Sequence, residues 1–177
     1  MFKKNVKTAT QEIAEKFQNQ EIIFLTESDL KTALCNSLRN IIHSDFSVNT
    51  ESPWYDTINN DTYYIDITAY NKKKFQLTYL DEFSRKGYKY DDEALTIELK
   101  YFRYVSDIQS IIGDFHKTSL LIKSPKNECF IIAAARTTEI FNFAKTFMSN
   151  QLEHYRTEYN SRVKILLFGP DELYEFQ

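Results

Sequence analysis

Two stretches of the chain alternate apolar and polar positions with the period of a strand. In Ala94 to Tyr104, Leu95, Ile97, Leu99 and Tyr101 alternate with Thr96, Glu98, Lys100 and Phe102, so Glu98 and Lys100 point the same way from a strand anchored by an apolar stripe. In Thr62 to Tyr70 the apolar side is Tyr63, Ile65, Ile67 and Ala69, and Asp66 stands on the other side with Tyr64 and Thr68. An earlier strand is predicted over Asp45 to Trp54, where Phe46 and Val48 alternate with polar positions and Pro53 marks the end. Phe130 to Ala135 is a continuous apolar run, the pattern of a strand buried on both faces of a mixed sheet. Val163 to Phe168 predicts a further buried strand, closed by Gly169-Pro170.

Helical spacing fills the intervals. Val6, Ala9, Ile13 and Phe17 predict a short amphipathic helix covering an edge of the sheet, and Leu30, Leu34, Leu38 and Ile41 predict a second, started by Thr26 with Asp29 three residues on. Ile108, Ile111, Ile112, Phe115 and Ser119 form a third set, with Asp107 as its N-cap; Ile140, Ala144, Phe147 and Met148 form a fourth, running toward Tyr155 or Tyr159. Asn59-Asn60-Asp61 is a turn signal leading into the Asp66 strand. Asp66 and Glu98 lie too far apart in sequence for a tight hairpin. Phe75 to Leu80 is read as an added strand and Asp81 to Glu93 as a long exposed loop, serving either substrate contact or decoration.

A chain of 177 residues is one domain by size and long enough to bury a core. Its 42% hydrophobic and 27% charged residues are those of a globular protein and argue against disorder. The 12 Tyr and 14 Phe are an unusual aromatic share; they serve packing or a base-stacking platform. A net charge of -3 argues against binding nucleic acid by bulk electrostatics, so such binding needs a local patch. Cations available for one are Lys72, Lys73, Lys74, Lys86, Lys89, Arg103 and Lys117. The Lys72 to Lys74 run also reads as a solvated turn. Cys35 and Cys129 lie in apolar elements without metal-ligand spacing and are expected to be free thiols in a reducing compartment. No apolar h-region follows Met1 to Lys7, and no apolar run has the length of a membrane span. The expected location is the cytoplasm, with no membrane partner.

The chemistry centres on Asp66, Glu98 and Lys100. Two adjacent strands would bring the two carboxylates together, and carboxylates sharing a site without compensation favour a hard divalent cation, with Lys100 beside it. His43, His116 and His154 belong to three separate helical patterns, which disfavours zinc. Three glycines and no Gly-rich phosphate loop disfavour a P-loop or dinucleotide-binding enzyme.

This order of elements resembles the PD-(D/E)xK nuclease superfamily, the restriction-endonuclease-like fold: an acid on one strand (Asp66), acid-x-Lys on the next (Glu98-Leu99-Lys100), a helix from about Asp107, and a strand from Cys129 to Arg136. The likeness covers roughly Thr26 to Arg136. Asp29-Leu30-Lys31 also fits acid-x-Lys but falls in a helical pattern, and Ile65 stands where the motif has its proline. The resemblance implies one nuclease-like domain over 1–177, with 1–25 an N-terminal helical extension, 26–136 the core, and 137–177 a C-terminal helix and strand. Its core is an α/β (α+β) mixed sheet of four to six strands flanked by helices. It further implies that Asp66, Glu98 and the backbone carbonyl of Leu99 bind Mg2+ or Mn2+, and that Lys100 orients or deprotonates the attacking water. Glu27 is the supporting acid on the first core helix, or simply an acid favoured by the helix dipole. Glu51 is a second supporting acid. Lys117, or less closely Gln109, would reach the scissile phosphate, or Lys117 forms an ordinary surface pair with Asp114. The implied activity is phosphodiester hydrolysis of nucleic acid, DNA before RNA. The alternative is a non-catalytic interaction module on the same fold, with a homodimer or protein partner.

Overall fold

Sheet order follows chain order. The computed structural model describes residues 2–56, 61–74, 93–121, 126–155 and 163–176. Among these, α1 (Lys3–Gln18) and α2 (Glu27–Ile41) precede β1 (Phe46–Asp56), β2 (Asp61–Asn71) and β3 (Ala94–Phe102). A 3-10 turn (Val105–Ser110) then runs into α3 (Ile111–Leu121), followed by β4 (Asn127–Ala135), α4 (Thr138–Tyr155), β5 (Val163–Phe168) and β6 (Leu173–Phe176). The described strands form one six-stranded sheet in the order β1-β2-β3-β4-β5-β6. β2 runs antiparallel to both its neighbours β1 and β3, β3, β4 and β5 are parallel, and β6 returns antiparallel to β5. The parallel steps are those that need a crossover, and α3 and α4 supply it.

Alternation along β3 and β4 separates two cores. Leu95, Ile97, Leu99 and Tyr101 pack with Phe130, Ile132 and Ala134 against Val6, Ile13, Leu30 and Leu34 of α1 and α2. Phe102, Ile131, Ala133 and Ala135 pack against Ile111 and Phe115 of α3 and Phe141 and Met148 of α4. β4, buried along its length except for partly covered Glu128, is therefore covered on both sides, as its unbroken apolar run predicts. The expected mixed sheet flanked by helices is present. No helix among the described residues is long and apolar enough to cross a membrane, and Cys35 and Cys129 are buried free thiols.

Several expectations change. α1 is part of the main core rather than an extension or an edge cover: Val6 and Ala9 are fully buried, and Phe17 meets Phe168 edge-on at 5.8 Å. β1 continues through Pro53 to Asp56, because it is the outermost strand of the described sheet and an edge tolerates a missing ladder N–H. Leu173 to Phe176, unread in the sequence, is a strand. Asp107 is not an N-cap; it lies inside the first 3-10 turn and accepts the N–H groups of Arg103 and Tyr104, each at 3.0 Å. The expected strand over Phe75 to Leu80 and nearly all of the loop to Glu93, with Lys86 and Lys89, lie outside the described residues.

The most consequential change is in β2. Ile67 and Ala69 join the α1/α2 core as expected, but Ile65 packs with Ala94, Leu121 and Cys129 on the opposite face. Strict alternation is broken at Asp66. The β1–β2 ladder pairs Thr50 with Ile67 and Ser52 with Ile65, passing over Glu51 and Asp66 between them. Glu51 has φ 52°, the left-handed region. Ile67 and Ile65, two residues apart, therefore lie on opposite faces, a local twist of both strands at the Glu51 and Asp66 step that involves no added residue.

Candidate functional site

The β2–β3 ladder runs from Tyr70↔Ala94 to Ile67↔Ile97 and is not paired beyond. Its register, extended by one step, sets Asp66 opposite Glu98. At that step the strands part, and the Leu99 N–H, which faces β2, donates to Asp66 Oδ2 at 2.9 Å instead of a ladder carbonyl. Side chains from α2 on one layer and α3 on the other meet the strand residues there.

From α2 come Glu27 and Lys31, one turn apart at the helix start. Thr26 fixes that start through a capping box: its Oγ1 accepts the Asp29 N–H at 3.3 Å, and Asp29 Oδ2 accepts the Thr26 N–H at 2.8 Å. Lys31 Nζ lies 2.7 Å from Asp66 Oδ1 and also pairs with Glu51. From α3 come Asp114 and Lys117, three residues apart on one helix face. Lys117 Nζ donates to Glu98 Oε2 at 2.7 Å and to the Tyr64 carbonyl at 2.9 Å, so it spans the gap between β2 and β3. Lys100 lies between the layers, 3.2 Å from Asp114 Oδ2 and 3.8 Å from Glu27 Oε2. The Asp114 contact is a buried ion pair, each partner steadying the charge of the other.

Burial governs the electrostatics. Glu98 is 1% exposed. Desolvation pushes its carboxyl up to about 8, Lys117 pulls the other way, and the nearby charges of Asp66 and Asp114 reinforce the rise. Asp114 is raised to about 6, again by burial first and against the pull of Lys100. Glu27 is raised by burial, partly offset by Lys100. For Lys100, burial lowers the pKa, but Asp114, Glu27 and Asp66 together outweigh it and leave the ammonium above its ordinary value. Lys31 is raised in the same way, burial being outweighed by Asp66 and Glu51.

The cluster brings Asp66, Glu98, Lys100, Glu27 and Lys117 close together in space and reaches Glu51 through Lys31. Gln109 is exposed on the 3-10 turn, with no hydrogen bond to the cluster among the described residues. Lys117 does not pair with Asp114 as a surface ion pair; each turns to a different partner on β3. Lys72, Lys73 and Lys74 are not beside the site. They follow the far end of β2, where Asn71 Oδ1 accepts the N–H groups of Lys73 and Lys74, and six residues of strand put Lys72 about 20 Å from Asp66. Arg103 is exposed just past β3, three residues from Lys100.

Two members were missed in the sequence. Lys31 was set aside because its acid-x-Lys match is helical, and Asp114 was read only as a partner for Lys117. The legible signal was the pairing of acid and lysine on one face of each helix: Glu27 with Lys31, and Asp114 with Lys117.

The cluster suits a hard divalent cation in three respects. Four carboxyl groups, Glu27, Asp66, Glu98 and Asp114, face three ammonium groups, Lys31, Lys100 and Lys117. Glu98 Oε1 is buried without a hydrogen-bond partner among the described residues, which is costly unless something occupies it, whereas Asp114 Oδ2 already faces the Lys100 ammonium. The available donors are oxygens, the ligands that Mg2+ and Mn2+ prefer. The arrangement is not a closed cage: among the described residues no three His, Cys, Asp or Glu side chains are disposed to hold an ion. Comparison with family models, curated proteins and solved structures found no match to this chain.

Proposed function

We propose that the chain is a Mg2+- or Mn2+-dependent nuclease with a restriction-endonuclease-like core, hydrolysing phosphodiester bonds of nucleic acid, DNA first. The observation that carries this reading is Glu98, a buried carboxyl with one oxygen unpartnered, set opposite Asp66 where β2 and β3 part. Asp66, Glu98 and the Leu99 carbonyl would hold the ion. When bound, it would polarise a phosphoryl oxygen and stabilise charge in an in-line displacement.

The chain's own residues have separable parts. Asp66 ties β2 to β3 through the Leu99 N–H, which holds the two carboxylates in register. Lys100, kept protonated by Asp114 and Glu27, orients water and phosphate as a cation rather than removing a proton. That refines the sequence expectation, which allowed either part. Phe102, two residues on from Lys100, and Ala133, the partner of Lys100 on β4, belong to the α3/α4 core on that side of the strand.

The test is cleavage of supercoiled plasmid and of labelled DNA and RNA oligonucleotides, with Mg2+, Mn2+ or EDTA. Wild type should cut only with the metals, and Glu98→Gln, Asp66→Asn and Lys100→Met should each lose about 100-fold or more. Cutting that survives EDTA or Glu98→Gln removes the assignment. A non-catalytic module remains the second reading, favoured by Lys31 and Lys117 already lying on the two carboxylates. Nucleic-acid binding without cleavage, unchanged by metal, would select it.

A further inference from the structure

The three lysines of the cluster are not equivalent. Lys31 is shared between Asp66 and Glu51, so it keeps a carboxylate if Asp66 turns to an ion. Lys100 is held by Asp114 and Glu27, neither of which is among the ion's proposed ligands. Lys117 differs: among the described residues its one carboxylate contact within ion-pair distance is Glu98, and its other contact is the Tyr64 carbonyl. The two partners also differ in freedom. Glu98 is fixed in the sheet at 1% side-chain exposure, whereas Lys117 is 24% exposed on α3 and can carry its ammonium into water on a flexible stem.

Building on the nuclease reading, we propose that Lys117 is a resident counter-cation that a divalent ion must displace from Glu98, so that ion binding and the Lys117–Glu98 contact exclude each other. An ammonium hydrogen-bonded to Oε2 and a divalent ion on the same carboxyl would repel at short range in a poorly hydrated site. Glu98 cannot move away, and Lys117 can. Without the ion, Lys117 limits the cost of burying Glu98 and bridges β2 to β3 across their parting. With the ion, it is released toward solvent on the α3 side, facing the approach to the site. The exchange lowers apparent ion affinity, and by linkage the ion weakens the hold of Lys117 by the same factor.

Two measurements test this at pH 8, where proton competition at Glu98 is reduced. In wild type, amine acylation read by mass spectrometry should show Lys117 protected without Mn2+ and modified several-fold faster with it. Acylation of Lys73, outside the cluster, should not change. In calorimetry run upward from pH 8 and extrapolated to fully ionised Glu98, which removes the extra proton competition that loss of Lys117 brings, Lys117→Met should bind Mn2+ about tenfold more tightly than wild type, the size of a typical coupling, and Lys117→Arg should stay near wild type. Mn2+ binding with Lys117 acylation unchanged overturns the exchange, as does an affinity in Lys117→Met no tighter than wild type. Absence of Mn2+ binding in wild type and variant alike removes the metal-site reading itself, and this inference with it.

Discussion

Glu98 is the residue on which the site's pH behaviour turns. A carboxyl whose folded-state pKa stands above its unfolded value binds more protons in the folded protein between the two, so stability falls as pH rises through that window. For Glu98 the window runs from its ordinary 4.5 to about 8. Metal-free protein should therefore lose thermal stability from about pH 5 to pH 8, and Glu98→Gln should flatten this slope and raise the melting temperature at pH 8.5. Melting curves across that range in EDTA check it; an identical slope in the variant would mean that Glu98 ionises freely. Asp66 behaves oppositely under truncation. It accepts the Leu99 N–H and faces Lys31. Asp66→Ala should cost about 1–3 kcal/mol, because a buried donor loses its acceptor. Asp66→Asn, which keeps an acceptor, should cost less in the same denaturation experiment. Asp66, Glu98 and Lys100 were legible because strand parity is local information. Lys31 was not, since helical spacing fixes the face a side chain lies on and says nothing of which carboxylate waits across the layer.

Helix α2 shows how an element places chemistry. The Thr26–Asp29 capping box and the Leu30, Leu34 and Leu38 stripe were both readable, and together they fix where the first turn of the helix stands. That turn carries Glu27, half-buried beside Lys100, so the cap acts on the site as well as on stability. Thr26→Ala should cost about 1 kcal/mol, a fall of roughly 2–4 °C in melting temperature for a chain of this size. It should also weaken any Mg2+-dependent activity more than Ser28→Ala, an exposed substitution in the same turn. Equal effects would mean that Glu27 needs no fixed helix start. The break in β2 was not legible. Tyr63, Ile65, Ile67 and Ala69 alternate without fault, and only the pairing of β2 with β1 shows that Glu51 and Asp66 are passed over together. A rotation shared by two strands leaves no mark on the period of either one. The role of α1 was hidden for a related reason: an amphipathic stripe predicts that a helix packs, while the six-stranded sheet decides how central that packing is.

Across the whole molecule, the exposed cations that flank β2 and β3 in sequence lie at different distances from the site. Lys72 to Lys74 seemed to border the site because they follow the Asp66 strand closely. They follow the C-terminal end of β2, while the site forms at mid-strand, where the pairing of β2 with β3 ends. Lys72 is further engaged with the Ser44 carbonyl at 2.7 Å. Arg103 is exposed about 10 Å along the chain from Lys100, on the same end of the sheet as the cluster. In a chain of net charge -3, a phosphate backbone drawn to the site depends on such local cations. Charge reversal at Arg103 should therefore weaken DNA binding about three- to tenfold in 50 mM salt and make its salt dependence shallower by roughly one counterion. The triple reversal Lys72→Glu, Lys73→Glu, Lys74→Glu should leave affinity at the site within about twofold, apart from a general repulsion that added salt screens. Fluorescence anisotropy with a short labelled duplex, measured in Ca2+ to hold cleavage back, separates the two. A larger loss in the lysine triple than in Arg103→Glu would put the nucleic-acid path along the far end of β2 and detach it from Asp66, Glu98 and Lys100.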